Sequence, residues 1–356
     1  MHLIIPIAGS SSRFPDMKPK WMLTHPRGKM MVIEAIRNLP LIQFKSINFI
    51  GLKTHEDEYN FSNSLNIQFK EIGIDHLANI ILLDEKTSNQ PETVYKGLKK
   101  SGITGQIYIK DSDNQFTTEF VSGNFISYLD LHELDQINAR NKSYVELNDD
   151  GYILNIVEKK IVSPTFCVGG YGFEEADDFI RVYEQLSDNK DLYISHIIFQ
   201  MLLEGEKFKG QNVSEYSDWG TIKEWNSYKA QYTTLFVDLD GTLVINSGQY
   251  SSPRWGDTDG IEKNITAINT LHASGKVEII LTTSRKESFR EDTVEQLKRL
   301  GINYDQIIFG LVHGKRIVIN DYAKTNPYKS CDAINIKRNS DDLSEMLEES
   351  LGFTIG

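Results

Sequence analysis

The chain has 356 residues, 40% hydrophobic and 25% charged, with a net charge of −12. Its length favours two domains over one, and its acidic balance lacks the basic footprint that a nucleic-acid partner requires. Two cysteines far apart, Cys167 and Cys331, argue against a disulfide framework or a Cys-based metal site, and no apolar run approaches the roughly 18 residues of a membrane span.

The N-terminal stretch lacks a basic leader, so residues 2–8 predict a first strand rather than a signal peptide, and the expected location is cytoplasmic. That strand runs into a loop of small residues. Val32–Leu39 suits a helix. Ser46–Leu52, Ile80–Asp84 and Gln106–Lys110 read as buried strands with helical segments between them. This alternation predicts an α/β fold with a mainly parallel, Rossmann-like sheet. Asp149-Asp-Gly-Tyr152 is a hairpin turn between alternating segments, and Phe166–Phe173 is a further strand. Cys167, within that apolar stretch, reads as core. The first domain is expected to finish around Trp225–Tyr232, giving domains 1–231 and 232–356. The second reads strand 234–239, helix 260–274, strand 277–283, helix 286–300, then strands 306–309 and 316–320, a small doubly wound unit.

In Ile4-Ile-Pro-Ile-Ala-Gly-Ser-Ser-Ser-Arg-Phe14, the small residues Ala8, Gly9, Ser10 and Ser11 let backbone N–H groups approach phosphate oxygens. Arg13 offers a planar fork for a triphosphate. A lysine from Lys18-Pro-Lys20 would neutralise charge building at an attacked α-phosphate. Together these elements resemble the sugar-phosphate nucleotidyltransferase family, which includes the glucose-1-phosphate thymidylyltransferases and phosphocholine cytidylyltransferases. The resemblance covers roughly residues 1–230 and implies Lys20 as the catalytic lysine, with Lys18 as the alternative. Ile107-Tyr-Ile-Lys-Asp-Ser-Asp-Asn-Gln-Phe116 resembles the family's strand ending in a metal-binding aspartate, which implies Asp113, or Asp111 as alternative. Tyr216-Ser-Asp-Trp-Gly-Thr221 implies Asp218 as the second ligand. Two carboxylates, phosphate oxygens and water suit Mg2+. Val157-Glu-Lys-Lys160 resembles the element that contacts the sugar phosphate, with Lys159 on the acceptor phosphate and Glu158 on a hydroxyl; Gly169-Gly170 follows where the family has a Gly-Gly strand. Asn89–Thr93, with Gln90 and Thr93, lies where relatives read the base. The implied reaction is attack of a phosphomonoester oxygen on the α-phosphorus of a nucleoside triphosphate. CTP is favoured, with UTP and dTTP open.

In Leu235-Phe-Val-Asp-Leu-Asp-Gly-Thr-Leu243, Asp238 and Asp240 share one side of a strand and meet at its carboxyl end, where open α/β sheets place their chemistry. The run resembles the first motif of the haloacid dehalogenase (HAD) superfamily of phosphatases. That resemblance implies Asp238 as nucleophile, forming an aspartyl-phosphate, and Asp240 as general acid and then base. It implies Thr283, rather than Thr282, on the transferred phosphoryl group, and Lys315 steadying its charge. Asp321 would join Asp238 and Asp240 on Mg2+, with Asn320 standing where many relatives have a second acid. The gaps between Asp238, Thr283 and Lys315 are too short for a sizeable cap. The site is therefore open, or covered by the first domain or by the loop Asn246–Gly260, which carries Tyr250, Arg254 and Trp255.

The coherent combination is a bifunctional enzyme making a nucleotide-activated, CDP-linked sugar or polyol for surface or capsular polysaccharide. It would join a sugar or polyol phosphate to a nucleotide and hydrolyse a second phosphomonoester, with no membrane or nucleic-acid partner. Homo-oligomer formation is compatible with this composition. The alternatives are a nucleotidyltransferase whose HAD unit serves assembly or regulation, and a nucleotide-sugar sensor without turnover.

Overall fold

Four strands near the start of the chain form a parallel ladder: β1 (His2–Pro6), β2 (Ser46–Leu52), β3 (Ala78–Leu83) and β4 (Ile107–Lys110). β1 pairs with β2 and β4, and β2 with β3. Ile4 points into one apolar core, with Ile50 and Val94, while Leu3 and Ile5 point into another, with Trp21 and Phe49. A strand covered on both faces reads as a continuous apolar run, which is why these were visible in the sequence. The computed structural model describes residues 1–9, 14, 17–134, 141–189, 191–321 and 331–355. It divides into two compact units, Met1–Trp225 and Asn226–Gly356.

Helices α1 (Met31–Ile36), α2 (Lys53–Tyr59), α3 (Phe61–Glu71) and α4 (Gln90–Ser101) connect these strands. α4 begins where the Asn89 side chain accepts from the Glu92 N–H, has Pro91 in its first turn, and ends at Gly102 in the left-handed region. It approaches β2 so closely that a Cβ on Gly97 would lie 2.1 Å from Ile50 Cδ1.

The first unit continues through β5 (Asn114–Thr117), β6 (Phe125–Asp130), β7 (Ser143–Leu147), β8 (Ile153–Glu158) and β9 (Thr165–Phe173). Then come α5 (Ala176–Leu186), α6 (Ile194–Leu203), β10 (Lys209–Asn212) and β11 (Ser214–Asp218), and the division at Trp225 falls within α7 (Ile222–Lys229). The sheet order is β10-β6-β9-β4-β1-β2-β3, with β7 and β8 attached beside β9. β9 runs antiparallel to both β4 and β6. β7 and β8 pair as the expected hairpin around Asn148–Gly151. β5 and β11 form a separate antiparallel ribbon.

His25 lies 1% exposed against Trp219 and Trp225, and its Nδ1 accepts the Arg27 N–H at 3.1 Å. An accepting Nδ1 carries no proton. Burial first, then Arg27 and Arg37, push the imidazole pKa down to about 3. The folded state thus resists a proton that the unfolded chain takes up below pH 6.5, so stability present above 6.5 is lost as pH falls toward 3. Between pH 6.5 and 5 the loss is expected to reach about 2 kcal/mol at most. Thermal melting from pH 8 to 5 checks it: His25→Asn, which keeps an acceptor for Arg27 but does not titrate, should flatten that part of the curve.

The second unit holds three parallel strands, β12 (Thr233–Asp238), β13 (Val277–Thr282) and β14 (Gln306–Ile308), in that order. Helices α8 (Glu262–Ala273), α9 (Arg290–Arg299) and α10 (Leu343–Leu351) accompany them. Their core gathers Leu239, Leu243, Ile268, Ile279, Leu281 and Leu297. One expectation fails. Residues 316–320 form no strand, and Ile317, Val318 and Ile319 are 74%, 56% and 92% exposed. The run has β-branched composition, but neither a ladder partner nor a covering layer among the described residues. Local propensity alone does not make a strand.

Candidate active sites

In the first unit, β4 delivers Lys110 and Asp111, and the chain turns through Asp113 into β5. β11 lies antiparallel to β5 with Asp218 opposite Asn114, and the Trp219 N–H donates to the Asp113 carbonyl at 2.8 Å. Two acids far apart in sequence thus stand at adjoining strand ends.

Lys20 opens a single 3-10 turn, Lys20–Met22, held down by Trp21 (1% exposed), whose ring meets Phe61 edge-on at 4.9 Å. The anchored turn directs Lys20 Nζ into an ion pair with Asp113. Lys18 is exposed. Asp218 accepts the Gly220 N–H through Oδ1 at 3.0 Å, and its Oδ2 pairs with Lys142. Lys142 also donates to the Tyr216 hydroxyl at 2.8 Å and lies 5.8 Å from the Phe166 ring centroid. Burial opposes its charge, but Tyr216 and Asp218 outweigh burial and raise its pKa.

Behind this layer, fully buried Lys110 donates to the Asp111 and Asn114 carbonyls at 2.8 and 2.9 Å and to Asn114 Oδ1 at 2.5 Å. Burial lowers its pKa, opposed by Asp111, Asp113 and Asp218. Burial and then Asp113 raise the pKa of Asp111. Gln90 donates to Asp111 Oδ1 at 2.5 Å, tying the start of α4 to the acid cluster. Thr93 is turned inward: the residue is 2% exposed and its hydroxyl shares a 2.6 Å bond with Thr87, so it supports the loop. Ala8 is buried and Gly9 exposed at the end of β1, while Ser10, Ser11 and Arg13 lie outside the described residues.

Glu158, at the end of β8, accepts from the Ser143 hydroxyl and, at 2.8 Å, from that of Ser195. Lys159 has a φ of +55° and bonds the Tyr193 hydroxyl, its Nζ 4.2 Å from that ring's centroid. The structure therefore gathers Lys20, Asp113, Asp218 and Gln90 around one acid cluster and sends Lys159 to a tyrosine. The oxygen donors of Asp113 and Asp218 fit Mg2+, whose other ligands are commonly phosphate oxygens and water.

Gly169 has a φ of +84°, and a Cβ there would lie 2.3 Å from Asp111 Oδ2. Gly169→Ala is expected to displace that carboxylate and cost about 2 kcal/mol or more. A drop of about 4 °C or more in Tm would register it.

In the second unit, β12 ends at Asp238, and Asp240 follows on the same side. Thr283 donates to Asp240 Oδ2 at 3.1 Å, and fully buried Arg285 grips both oxygens, with Nη2 2.8 Å from Oδ1. The other arm of Arg285 donates to Thr293 and Gln296 at 3.1 and 2.8 Å, and Gln296 in turn donates to the Thr258 carbonyl at 2.8 Å. Thr282 donates weakly to the Val237 carbonyl at 3.3 Å, which leaves Thr283 as the hydroxyl at the acids.

Asp238 Oδ1 accepts from Arg316 at 2.8 Å. Burial raises the Asp238 pKa, Arg316 opposes this, and Asp240 adds to it. Lys315, Asn320 and Asp321 are exposed. Among the described residues no three His, Cys, Asp or Glu side chains gather to hold a metal, so Asp321 is not brought to Asp238 and Asp240. Those residues as placed do not fit the expected three-acid Mg2+ site, because the segment that carries Asp321 does not pair into the sheet. Of the loop 246–260, Tyr250 is 90% exposed, whereas Trp255 is buried against Phe289 at 5.2 Å. Trp255 thus packs within its own unit, and Arg254 bridges to Gly248 and closes a turn through its carbonyl to the Asp257 N–H.

Sequence reasoning passed over Lys142, Arg285 and Arg316. Lys142 belongs to no motif, and only the ribbon pairing discloses it. Arg285 and Arg316 each neighbour a motif residue, so a charged residue beside a motif was the available signal.

No protein-family model matches the chain. No curated protein matches it either. Solved structures do. A nucleoside-diphosphate-sugar pyrophosphorylase from Vibrio cholerae RC9 is 19% identical, with a TM-score of 0.54 over 64% of this chain and 98% of that one. The inositol-1-phosphate CTP transferase from T. maritima is 13% identical, with a TM-score of 0.52 over 63% and 90%. A UDP-glucose pyrophosphorylase complexed with UDP-glucose is 13% identical, with a TM-score of 0.50 over 64% and 97%. These likenesses show a shared fold, that of sugar nucleotidyltransferases, over about two-thirds of the chain.

Proposed function

We propose that residues 1–231 form a nucleotidyltransferase that joins a nucleotide, CTP by preference, to a sugar or polyol phosphate, releasing pyrophosphate. The observation that carries this reading is the meeting of Lys20, Asp113 and Asp218 on the β5–β11 ribbon. The shared fold supports it. Lys20 supplies positive charge where the α-phosphate gains negative charge, and such electrostatic placement dominates this class of reaction. Gln90, fixed to Asp111, holds the start of α4 beside the nucleotide. Glu158, oriented by Ser195, accepts a hydroxyl of the acceptor. Mg2+ on Asp113 and Asp218 would supply charge neutralisation for the phosphates.

Residues 232–356 are proposed as a HAD-like phosphatase. Asp238 attacks a phosphomonoester, breaking the P–O bond to the leaving group and forming an aspartyl-phosphate; water then attacks that phosphorus and returns the carboxylate. Arg285 and Thr283 hold Asp240 where it can exchange a proton with the leaving group and the water. A second reading has specific support: Arg316 occupies Asp238, and Asp321 forms no three-acid group with Asp238 and Asp240 among the described residues. In it this unit serves assembly or regulation. A cytoplasmic role in supplying surface polysaccharide completes the proposal.

Phosphorus NMR with Mg2+, the four nucleoside triphosphates and a panel of sugar and polyol mono- and bisphosphates tests both halves. Pyrophosphate with a new diphosphate doublet supports the transferase. Neither product from any pairing overturns it. Inorganic phosphate that vanishes in Asp238→Asn supports the phosphatase; no such release favours the second reading.

A further inference from the structure

Lys142 and Lys20 place one ammonium on each of the two ribbon carboxylates, Lys142 on Asp218 and Lys20 on Asp113. Lys20 opens the turn Lys20–Met22, between β1 and α1 in the chain, whereas Lys142 precedes β7, whose first residue Ser143 pairs with Glu158 of β8. The Lys142 carbonyl also accepts the Lys159 N–H at 2.9 Å. Lys142 therefore belongs to the strand pair that carries the acceptor-contacting element. Its side chain is 14% exposed, near the Phe166 ring, and reaches Asp218 and Tyr216. Lys159, one step beyond Glu158, is turned away to Tyr193.

A divalent cation on Asp218 competes with that ammonium, because Oδ1 is engaged by Gly220 and Oδ2 by Lys142. We propose that Lys142, not Lys159, is the lysine that binds the acceptor's phosphomonoester: it leaves Asp218 when a divalent cation takes that carboxylate and turns to the incoming dianion. The ammonium then remains neutralised throughout, first by a carboxylate and then by phosphate. This rests on the nucleotidyl-transfer reading for the identity of the phosphate, but not for the competition at Asp218.

The test titrates Mn2+ into the full chain by calorimetry, then inorganic phosphate in the presence of Mg2+. The proteins are wild type, Lys142→Met, Lys142→Arg and Lys159→Met, each checked for folding by circular dichroism. Asp218→Asn identifies which Mn2+ site is read. Removing the competing ammonium should tighten Mn2+ at that site about tenfold and weaken phosphate about tenfold, the size of one charge-assisted contact, with Lys142→Arg restoring phosphate binding. In turnover, Lys142→Met should raise the acceptor KM about tenfold with the nucleotide KM within about twofold. Unchanged Mn2+ and phosphate affinities in folded Lys142→Met, or loss of phosphate binding in Lys159→Met alone, overturn the proposal while leaving the transferase reading intact. Absence of any nucleotidyl product from wild type would instead overturn that reading, with the Mn2+ titration still deciding the competition.

Discussion

Lys20→Met is expected to slow pyrophosphate release by about 10²–10³-fold while the protein still folds, the effect typical of removing one preorganised charge from a site where charge develops. Lys20 stands on a short turn whose position is set by buried Trp21 and Met22, so its loss removes a charge without removing the anchor. Lys20→Arg should recover little, since a planar guanidinium is not a compact ammonium. Lys18→Met, at an exposed position, should stay within about threefold of wild type. A pyrophosphate-coupled assay with thermal melting of each variant reads this directly. Equal losses in Lys18→Met and Lys20→Met would mean that the ion pair with Asp113 does not mark the catalytic lysine.

Asp238→Asn is expected to abolish inorganic phosphate release, by at least about 10³-fold, because an amide cannot serve as the nucleophile that forms the aspartyl-phosphate. Nucleotidyl transfer should continue at its wild-type rate. The substitution is nearly isosteric, and the Arg316 contact retains an oxygen acceptor, so folding should survive. Phosphate release measured with malachite green, beside the pyrophosphate assay, separates the two activities. Release that persists in Asp238→Asn would assign it to another source and favour an assembly or regulatory unit.

Much of the fold could be read because its strands are buried on both faces. β1, β2, β4 and β9 are apolar runs whose composition follows from that burial. β10, Lys209-Gly-Gln-Asn212, has no such signal and is a strand only because β6 offers it a parallel partner. Residues 317–319 are the converse, apolar and β-branched yet without a ladder partner among the described residues. Within the second site, Asp238 with Asp240 was legible because alternate side chains of a strand face the same way; Asp111 and Asp113 lie between β4 and β5, and only resemblance marked them.

Local spacing set Asp238 and Asp240 on one side of an expected strand, while the two sets of motifs were read from resemblance. That spacing holds within a few residues, where backbone period fixes side-chain direction. The pairing of Lys20 with Asp113 and of Lys142 with Asp218, the inward turn of Thr93, and the hold of Arg285 on Asp240 were decided only by tertiary structure. Each is a contact closed by packing between segments far apart in the chain, and no local period can specify which distant charge will meet which.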